Sequence, residues 1–450
     1  MKLTIVVFCT FLAYFSMAQN QGSGQYSFDL KQSVEYALQN NAKVQNADAD
    51  EKIAKARIQE IIGIGLPQLN AGIDFKDFVQ LPTSLIPGNF FPLPPGAPRP
   101  EFIEVAFGTK YNTTVSLDAS QLIFDGSYLV GLQASRTYAE LARKNTDRNR
   151  VETVAAVTKA YYSVLVNEEH AKLIDVNIDR IRKLLDDSRV MFENGFIEKI
   201  DIDRMSVTYN NLTSEKEKIG RLTALGYSLL KFQMGMDLAA ELKLTDKLSE
   251  IDFGSVSAEG GAEYGKRAEY GLLQTQKKLN ELDIRRHRMT YLPSLVAFGN
   301  LSAQAQRNEF NFFDTKRRWY PIGIVGAKLN IPVFDGFQKN YRIQQAKLTM
   351  LKTENEIKNL ERGIDMEVQS ARAAFLNSRN SLDVQKKNLD LAQNIYDVAK
   401  IKYEQGVGSN IEIINAESSL KETRINYYTA LYEALVAKTD LERATGNLQK

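Results

Sequence analysis

Two hydrophobic periods alternate along this chain. From Ser127 to Glu193, and again from Phe337 to Glu404, the chain is rich in Ala, Leu, Lys, Glu, Gln and Arg, which are strong helix formers. In the second tract Ile343, Met350, Ile357, Ile364 and Ala371 recur every seven residues, and so do Leu382, Leu389, Tyr396 and Tyr403. Sustained heptads predict helices packed as coiled coils. A helix of about 65 residues is roughly 100 Å long at 1.5 Å per residue, beyond what a globular core needs.

Four stretches switch to a period of two. Leu69, Ala71, Ile73 and Phe75 alternate with Asn70, Gly72 and Asp74, and Tyr111, Thr113, Val115, Leu117 and Ala119 alternate with Asn112, Thr114, Ser116, Asp118 and Ser120. Leu295 to Gln306 and Trp319 to Ile331 repeat the pattern less cleanly, with Asn300, Ser302, Gln304, Lys328 and Asn330 as polar partners. Each predicts a strand with one apolar and one polar face. A membrane barrel and a half-buried soluble sheet share that signature, and the pattern alone leaves both open.

Prolines mark where helix is impossible. All 11 lie at Pro67–Pro100, at Pro293, and at Pro321 with Pro332. The tracts between and after them can be helical throughout, because proline breaks helix interiors.

The chain also repeats itself. Leu66-Pro67-Gln68-Leu69 recurs as Leu292-Pro293-Ser294-Leu295, Phe124-Asp125-Gly126 as Phe334-Asp335-Gly336, and Phe192-Glu193-Asn194-Gly195 as Tyr403-Glu404-Gln405-Gly406. Gly235 and Gly446 each follow a long helical tract. Each half therefore reads helix, strand, loop, strand, very long helix, tight turn, helix, an internal duplication rather than two unrelated domains. The expected organisation is a first repeat over 19–260, with a strand-connecting loop at 76–110 and a tip near 195. A second follows over 261–450, with a loop at 307–318 and a tip near 406.

Ahead of the first repeat, residues 1–18 read as a secretory signal peptide: Lys2, an apolar run from Leu3 to Phe15, then Ser16-Met17-Ala18 with small residues at the cleavage positions. The one cysteine, Cys9, falls inside it, so the mature chain is expected to carry no disulfide. With 57 basic and 55 acidic residues, the chain lacks the basic excess of a nucleic-acid binder. No later apolar run reaches 18 residues, so a membrane crossing requires a closed β-barrel.

In order and spacing, the paired Leu-Pro-x-Leu entries, Phe-Asp-Gly exits and aromatic-x-x-Gly turns resemble the TolC-like outer membrane efflux family across essentially the whole mature chain. The resemblance implies an α/β membrane protein of the cell outer membrane, with its helical part in the periplasm. Three protomers each give four strands to one barrel, continuous with a long α-helical barrel. Residues 76–110 and 307–318 become extracellular loops, the first proline-rich and irregular. The implied function is an outer-membrane channel subunit of a tripartite efflux or type I secretion system. It is a passive homotrimer embedded in outer-membrane lipid, working with a periplasmic adaptor and an inner-membrane pump, with no nucleic acid and no cofactor. The adaptor is expected to dock on the tips at Gly195, Phe196, Gly406 and Val407.

The resemblance also implies a periplasmic gate. The family's closed state links the tyrosine at 403 to the aspartate at 201, and its acidic constriction falls on Glu412 and Asn415. Gly408 stands where the family has an arginine, and Asn415 is neutral where it has a carboxylate. For Asp201 a plainer reading is a first-turn acid favoured by the helix dipole.

Enzymatic chemistry is not expected. His170 and His287 are the only histidines, both within predicted helix among charged residues, where solvent-facing positions are the better reading. There is no phosphate-binding loop, nucleophile elbow or zinc-protease motif. A periplasmic adaptor or other structural coiled-coil protein is the alternative, but an adaptor has one helical hairpin and this chain has two matched halves.

Overall fold

The computed structural model describes residues 25–90, 100–248, 262–405 and 407–448. The expected signal peptide, the repeat boundary at 260/261, residues 91–99 of the proline-rich loop and Gly406 lie outside them.

The elements follow in the order β1 (Gln25–Phe28), α1 (Leu30–Asn40), α2 (Ala42–Ile64), β2 (Gln68–Asp77), β3 (Thr83–Pro87), β4 (Phe102–Ala106), β5 (Tyr111–Phe124), α3 (Gly126–Glu193), α4 (Lys199–Met234), β6 (Glu241–Leu244), α5 (Ala268–Met289), β7 (Ser294–Arg307), β8 (Tyr320–Asn330), α6 (Gln338–Glu404) and α7 (Asn410–Thr445). The duplication is visible in the lengths: α3 and α6 have 68 and 67 residues, and α4 and α7 have 36 each. Both shorter helices end on a left-handed glycine, Gly235 at φ 71° and Gly446 at φ 75°, a conformation glycine adopts without strain. The Phe-Asp-Gly exits are capping devices. Asp125 Oδ1 accepts from the Tyr128 backbone N–H at 2.9 Å, and Asp335 Oδ2 accepts from that of Lys339 at 3.0 Å, satisfying donors orphaned at a helix start.

By internal contacts the chain divides into two units that cut across both repeats. One, Lys52–Leu141 with Thr275–Glu354, contains a four-stranded antiparallel sheet in the order β2-β5-β7-β8. Its register sorts the side chains. Ala71, Leu117, Leu301 and Gly323 form one row, and Ile73, Val115, Ala303 and Pro321 the next on the same face. Gly72, Ser116 and Ser302, and Asn70, Asp118 and Asn300, form rows on the opposite face. There the Asn300 amide donates to Asp118 Oδ1 at 2.7 Å, and the Gln304 amide to Asn112 Oδ1 at 3.0 Å. β8 departs from the alternation, because Ile322 and Ile324 complete the two polar rows. Both outer strands, β2 and β8, lack a further strand partner among the described residues, so each presents unpaired backbone donors and acceptors.

The loop expected to be irregular at 76–110 contains a hairpin. β3 and β4 pair antiparallel with Ile86 opposite Ile103. Pro87 is tolerated because it sits at the strand's end, and the aromatic and β-branched residues Phe102, Ile103 and Val105 supply the strand propensity.

The other unit comprises the described residues of Met1–Glu51, Ala142–Gln274 and Asn355–Lys450. Its largest core gathers Ala37 of α1, Val157, Tyr161 and Val164 of α3, Leu230 and Met234 of α4, and Leu431 and Leu435 of α7. β1 and β6, not anticipated from the sequence, pair in parallel beside it. The Tyr161 hydroxyl lies 2.9 Å from Asp246, whose carboxylate also accepts the Leu30 N–H at 3.0 Å. Burial first, then this neighbouring carboxylate, pushes the Tyr161 phenol well above its usual range. Of the heptad positions predicted in α6, Ile357, Ile364 and Tyr396 are buried and Ile343, Met350, Ala371, Leu382, Leu389 and Tyr403 are half-buried; Ala392 and Ala399, outside the predicted heptads, are buried beside Tyr396.

One charged contact ties three long helices together. Arg180 Nη1 of α3 donates to both carboxylate oxygens of Glu417 on α7, at 2.8 and 3.0 Å. The same guanidinium lies 4.7 Å from the ring centroid of Tyr396 on α6. Glu417 is almost fully buried, and burial pushes its carboxyl upward against the opposing pull of Arg180. Removing one partner of a buried pair strands the other charge. Arg180→Met is therefore expected to destabilise the unit by about 3–5 kcal/mol, while Arg180→Met with Glu417→Met regains most of it. Unfolding midpoints followed by circular dichroism in detergent test this; equal losses in the single and double variants would refute it.

Candidate gate and hairpin tips

The two long helical hairpins turn by the same local device. After α3, the Phe196 N–H reaches the Met191 carbonyl at 2.9 Å and the Gly195 N–H reaches Phe192 at 2.9 Å. Gly195 has φ 77°. This six-to-one and five-to-two pairing around a left-handed residue ends a helix with its last carbonyls satisfied. After α6 the Val407 N–H reaches the Lys402 carbonyl at 3.1 Å, the same six-to-one bond. Phe196 and Val407 follow the turns as exposed apolar residues, at 78 % and 77 % exposure.

The second turn is crowded at Gly408, where the resemblance led to an arginine being expected. A Cβ at Gly408 would stand 2.9 Å from both the Lys402 Cβ and the Tyr403 backbone nitrogen. No side chain fits there unless the turn shifts, so an arginine is excluded sterically from this conformation. Ser409 then caps α7, its hydroxyl accepting from the Glu412 N–H at 3.2 Å.

The four expected gate residues all lie beside these turns. Asp201 sits in the first turn of α4 and faces Arg204 at 3.7 Å. The Tyr403 hydroxyl instead approaches Met191 Sδ of α3 at 3.8 Å. The hydrogen bond expected between Asp201 and Tyr403 is thus not the contact either group makes in this protomer. The position of Asp201 near the N–H-rich end of α4 suits a first-turn acid on electrostatic grounds.

Glu412 is not a bare carboxylate. Its Oε1 is 2.9 Å from Lys402 Nζ across the turn. Both side chains are about half exposed, so the pair is worth at most about 1 kcal/mol, but it neutralises the carboxylate locally. Glu412 and Asn415 of α7 line a groove of about 610 Å³ together with Lys402, Val398 and Ile395 of α6. Lys402 and Met191 were missed from the sequence. Lys402 carried a signal, a cation and an anion flanking one tight turn, whereas Met191 is connected only by the fold.

Of the histidines, His170 corrects its expectation. Its Nε2 is buried without a hydrogen-bond partner, and its ring meets Tyr428 edge-on at 6.1 Å. Burial lowers its pKa, so it is a packed residue of the helical unit rather than a solvent-facing one. His287 lies 3.5 Å from Asp283. Among the described residues no helix is long and apolar enough to cross a membrane, and no group of three acidic, histidine or cysteine side chains is placed to hold a metal.

Known proteins resemble this chain in sequence and fold. Residues 274–447 match the family model described as outer membrane efflux protein. The outer membrane protein TolC of Salmonella enteritidis is 21 % identical over 450 residues, covering 94 % of this chain and 82 % of the relative. A probable efflux pump outer membrane protein of Pseudomonas putida, TtgC, is 21 % identical, covering 76 % of this chain and 70 % of its own. Among solved structures, the CmeC outer membrane channel of Campylobacter jejuni shares the fold with a TM-score of 0.74 at 15 % identity, over 93 % of this chain and 86 % of that one. Taken with the duplicated strand-and-hairpin architecture, these matches make the chain similar over nearly its whole length to TolC-like outer membrane efflux proteins, with the family's own model matched over residues 274–447.

Proposed function

We propose that three copies of this chain assemble into a passive outer-membrane conduit, through which small molecules or polypeptides pass from the periplasm to the exterior. The observation that carries the reading is the open amphipathic sheet. Its apolar rows suit lipid and its hydrogen-bonded polar rows suit a water-filled lumen. Its two edge strands need partners, because unpaired backbone groups are not tolerated in a bilayer. Closing four strands per protomer into one barrel satisfies both edges at once.

The helices support the same assembly. On α4, Leu222, Leu225, Leu229 and Phe232 are exposed at coiled-coil spacing, and on α6 so are Val384, Leu391, Ile395 and Val398. Such stripes are the seams of a coiled coil whose other half is absent from one protomer. The energy for export then comes from an inner-membrane pump, reached through a periplasmic adaptor that meets the tips beside Gly195 and Phe196 and beside Gly406 and Val407. The groove holding Glu412 and Asn415 lies at the entrance, and Asp201 and Tyr403 brace the neighbouring helix ends. No catalytic role is assigned, since a conduit moves its cargo unchanged.

The assembly is tested in mild detergent, where the protein is expected to migrate as a trimer; a monodisperse monomer soluble without detergent would overturn the reading. The lipid-facing register has its own test. Leu117→Arg should cost about 2–4 kcal/mol near mid-membrane and lower trimer yield, while Ser116→Arg on the polar face should be tolerated. Equal yields would reject the register as a lipid–lumen division. For docking, Phe196→Glu with Val407→Glu should abolish export while leaving trimer and membrane insertion intact. Normal export by that double variant would count against contact at the tips.

A further inference from the structure

The connection between β7 and β8 does not stand clear of the sheet. Phe75, Thr113 and Ala305 form one row across β2, β5 and β7, on the face that also carries Ile73, Leu117 and Leu301. Against this row Phe310 and Phe312 each meet Phe75 edge-on at 5.8 Å. Phe312 in turn lies 6.3 Å from Trp319. Thr113 and Ala305 are buried, whereas Leu117 and Leu301 on the same face are exposed. The loop therefore folds back over the apolar face at the strand ends opposite those from which α3 and α6 leave.

The aromatic cluster is unfinished on its outer side. Phe310 is 61 % exposed and Phe313 88 %. After Asp314 and Thr315 come three consecutive cations, Lys316, Arg317 and Arg318, all exposed. Asp314 approaches Arg317 at 3.9 Å; among the described residues Lys316 and Arg318 have no carboxylate partner. Aromatic side chains gather at the membrane–water boundary, and adjacent cations are drawn to anionic lipid headgroups. With the helical part in the periplasm, this end of the sheet meets the outer leaflet.

We propose that the β7–β8 loop is an interfacial dock for anionic, phosphate-bearing lipid of the outer leaflet. Phe310 and Phe313 enter the boundary between headgroups and acyl chains, and Lys316, Arg317 and Arg318 engage the phosphates. The proposal rests on the membrane-barrel reading above and extends it from a generic lipid face to a charge-selective one.

Trp319 is the only tryptophan in the chain, so its fluorescence reports on this loop. The full chain is reconstituted into phosphatidylcholine vesicles with and without phosphatidic acid, each lipid in turn carrying a shallow spin label. Labelled phosphatidic acid is expected to quench Trp319 at least about twofold more than labelled phosphatidylcholine at equal mole fraction. Lys316→Gln with Arg317→Gln and Arg318→Gln should erase that difference. Phe310→Ser with Phe313→Ser should weaken quenching by both lipids and raise quenching by aqueous iodide. A wild-type Trp319 reached by iodide but not by either labelled lipid would overturn the dock, and so would equal quenching by the two lipids. Vesicle flotation and trimer migration are scored on the same samples. Loss of both would remove the barrel reading and the dock together, whereas an inserted trimer whose Trp319 stays in water would remove the dock alone.

Discussion

The backbone groups along the outer edges of β2 and β8 set the terms for everything else. Each edge carries N–H and C=O groups with no strand beside them. In water they would be solvated at little loss; in hydrocarbon each unpaired group costs several kcal/mol. A sheet of four strands is also too narrow to curl onto itself around a filled interior, since small closed barrels need about eight. The strands can therefore belong to a membrane only if other copies complete them. The face-sorted register is the companion of that requirement, because a slip of one residue would turn every apolar row inward.

Around this constraint the rest of the chain is built from local rules used twice. Aspartates at 125 and 335 accept hydrogen bonds at the entries to the long helices, and a six-to-one bond closes each hairpin turn. The second turn is tighter at Gly408, where the backbone packs against Lys402 and Tyr403 too closely for a side chain. A pair of opposite charges, Lys402 and Glu412, spans that turn. The charge that faces Glu412 in this turn thus comes from Lys402 at the end of α6.

Elements with a long, repeated period were legible in the sequence. The tracts Ser127–Glu193 and Phe337–Glu404 became α3 and α6 within a residue at each end, and the four alternating stretches became the four sheet strands. What escaped was short or depended on distant chain. β1 and β6 have four residues each and acquire meaning only by pairing across more than 200 positions. The hairpin at β3 and β4 was masked by the surrounding prolines. At the site, residue identities near the turns were readable but their partners were not. Tyr403 finds Met191 because α3 and α6 pack side by side, and His170 packs against Tyr428, which lies far along the chain on α7.

The buried contact of Arg180 with Glu417 and Tyr396 has a consequence for how the helices find their alignment. Heptad surfaces are nearly translationally degenerate: a helix that slides by seven residues meets another set of apolar partners of the same kind. Against such a slip the apolar seam offers weak discrimination, since Tyr396 would merely be exchanged for Leu389 or Tyr403. The charged contact is not degenerate. Seven residues from Glu417 the chain carries Arg424 in one direction and Asn410 in the other, so a displaced Arg180 would face either a like charge or a neutral amide while giving up its only buried counter-ion. This polar contact, with Lys159 and Asp440 meeting at 2.6 Å farther along the same two helices, thus acts as an index mark, favouring one axial setting of the two hairpins and making the others costly.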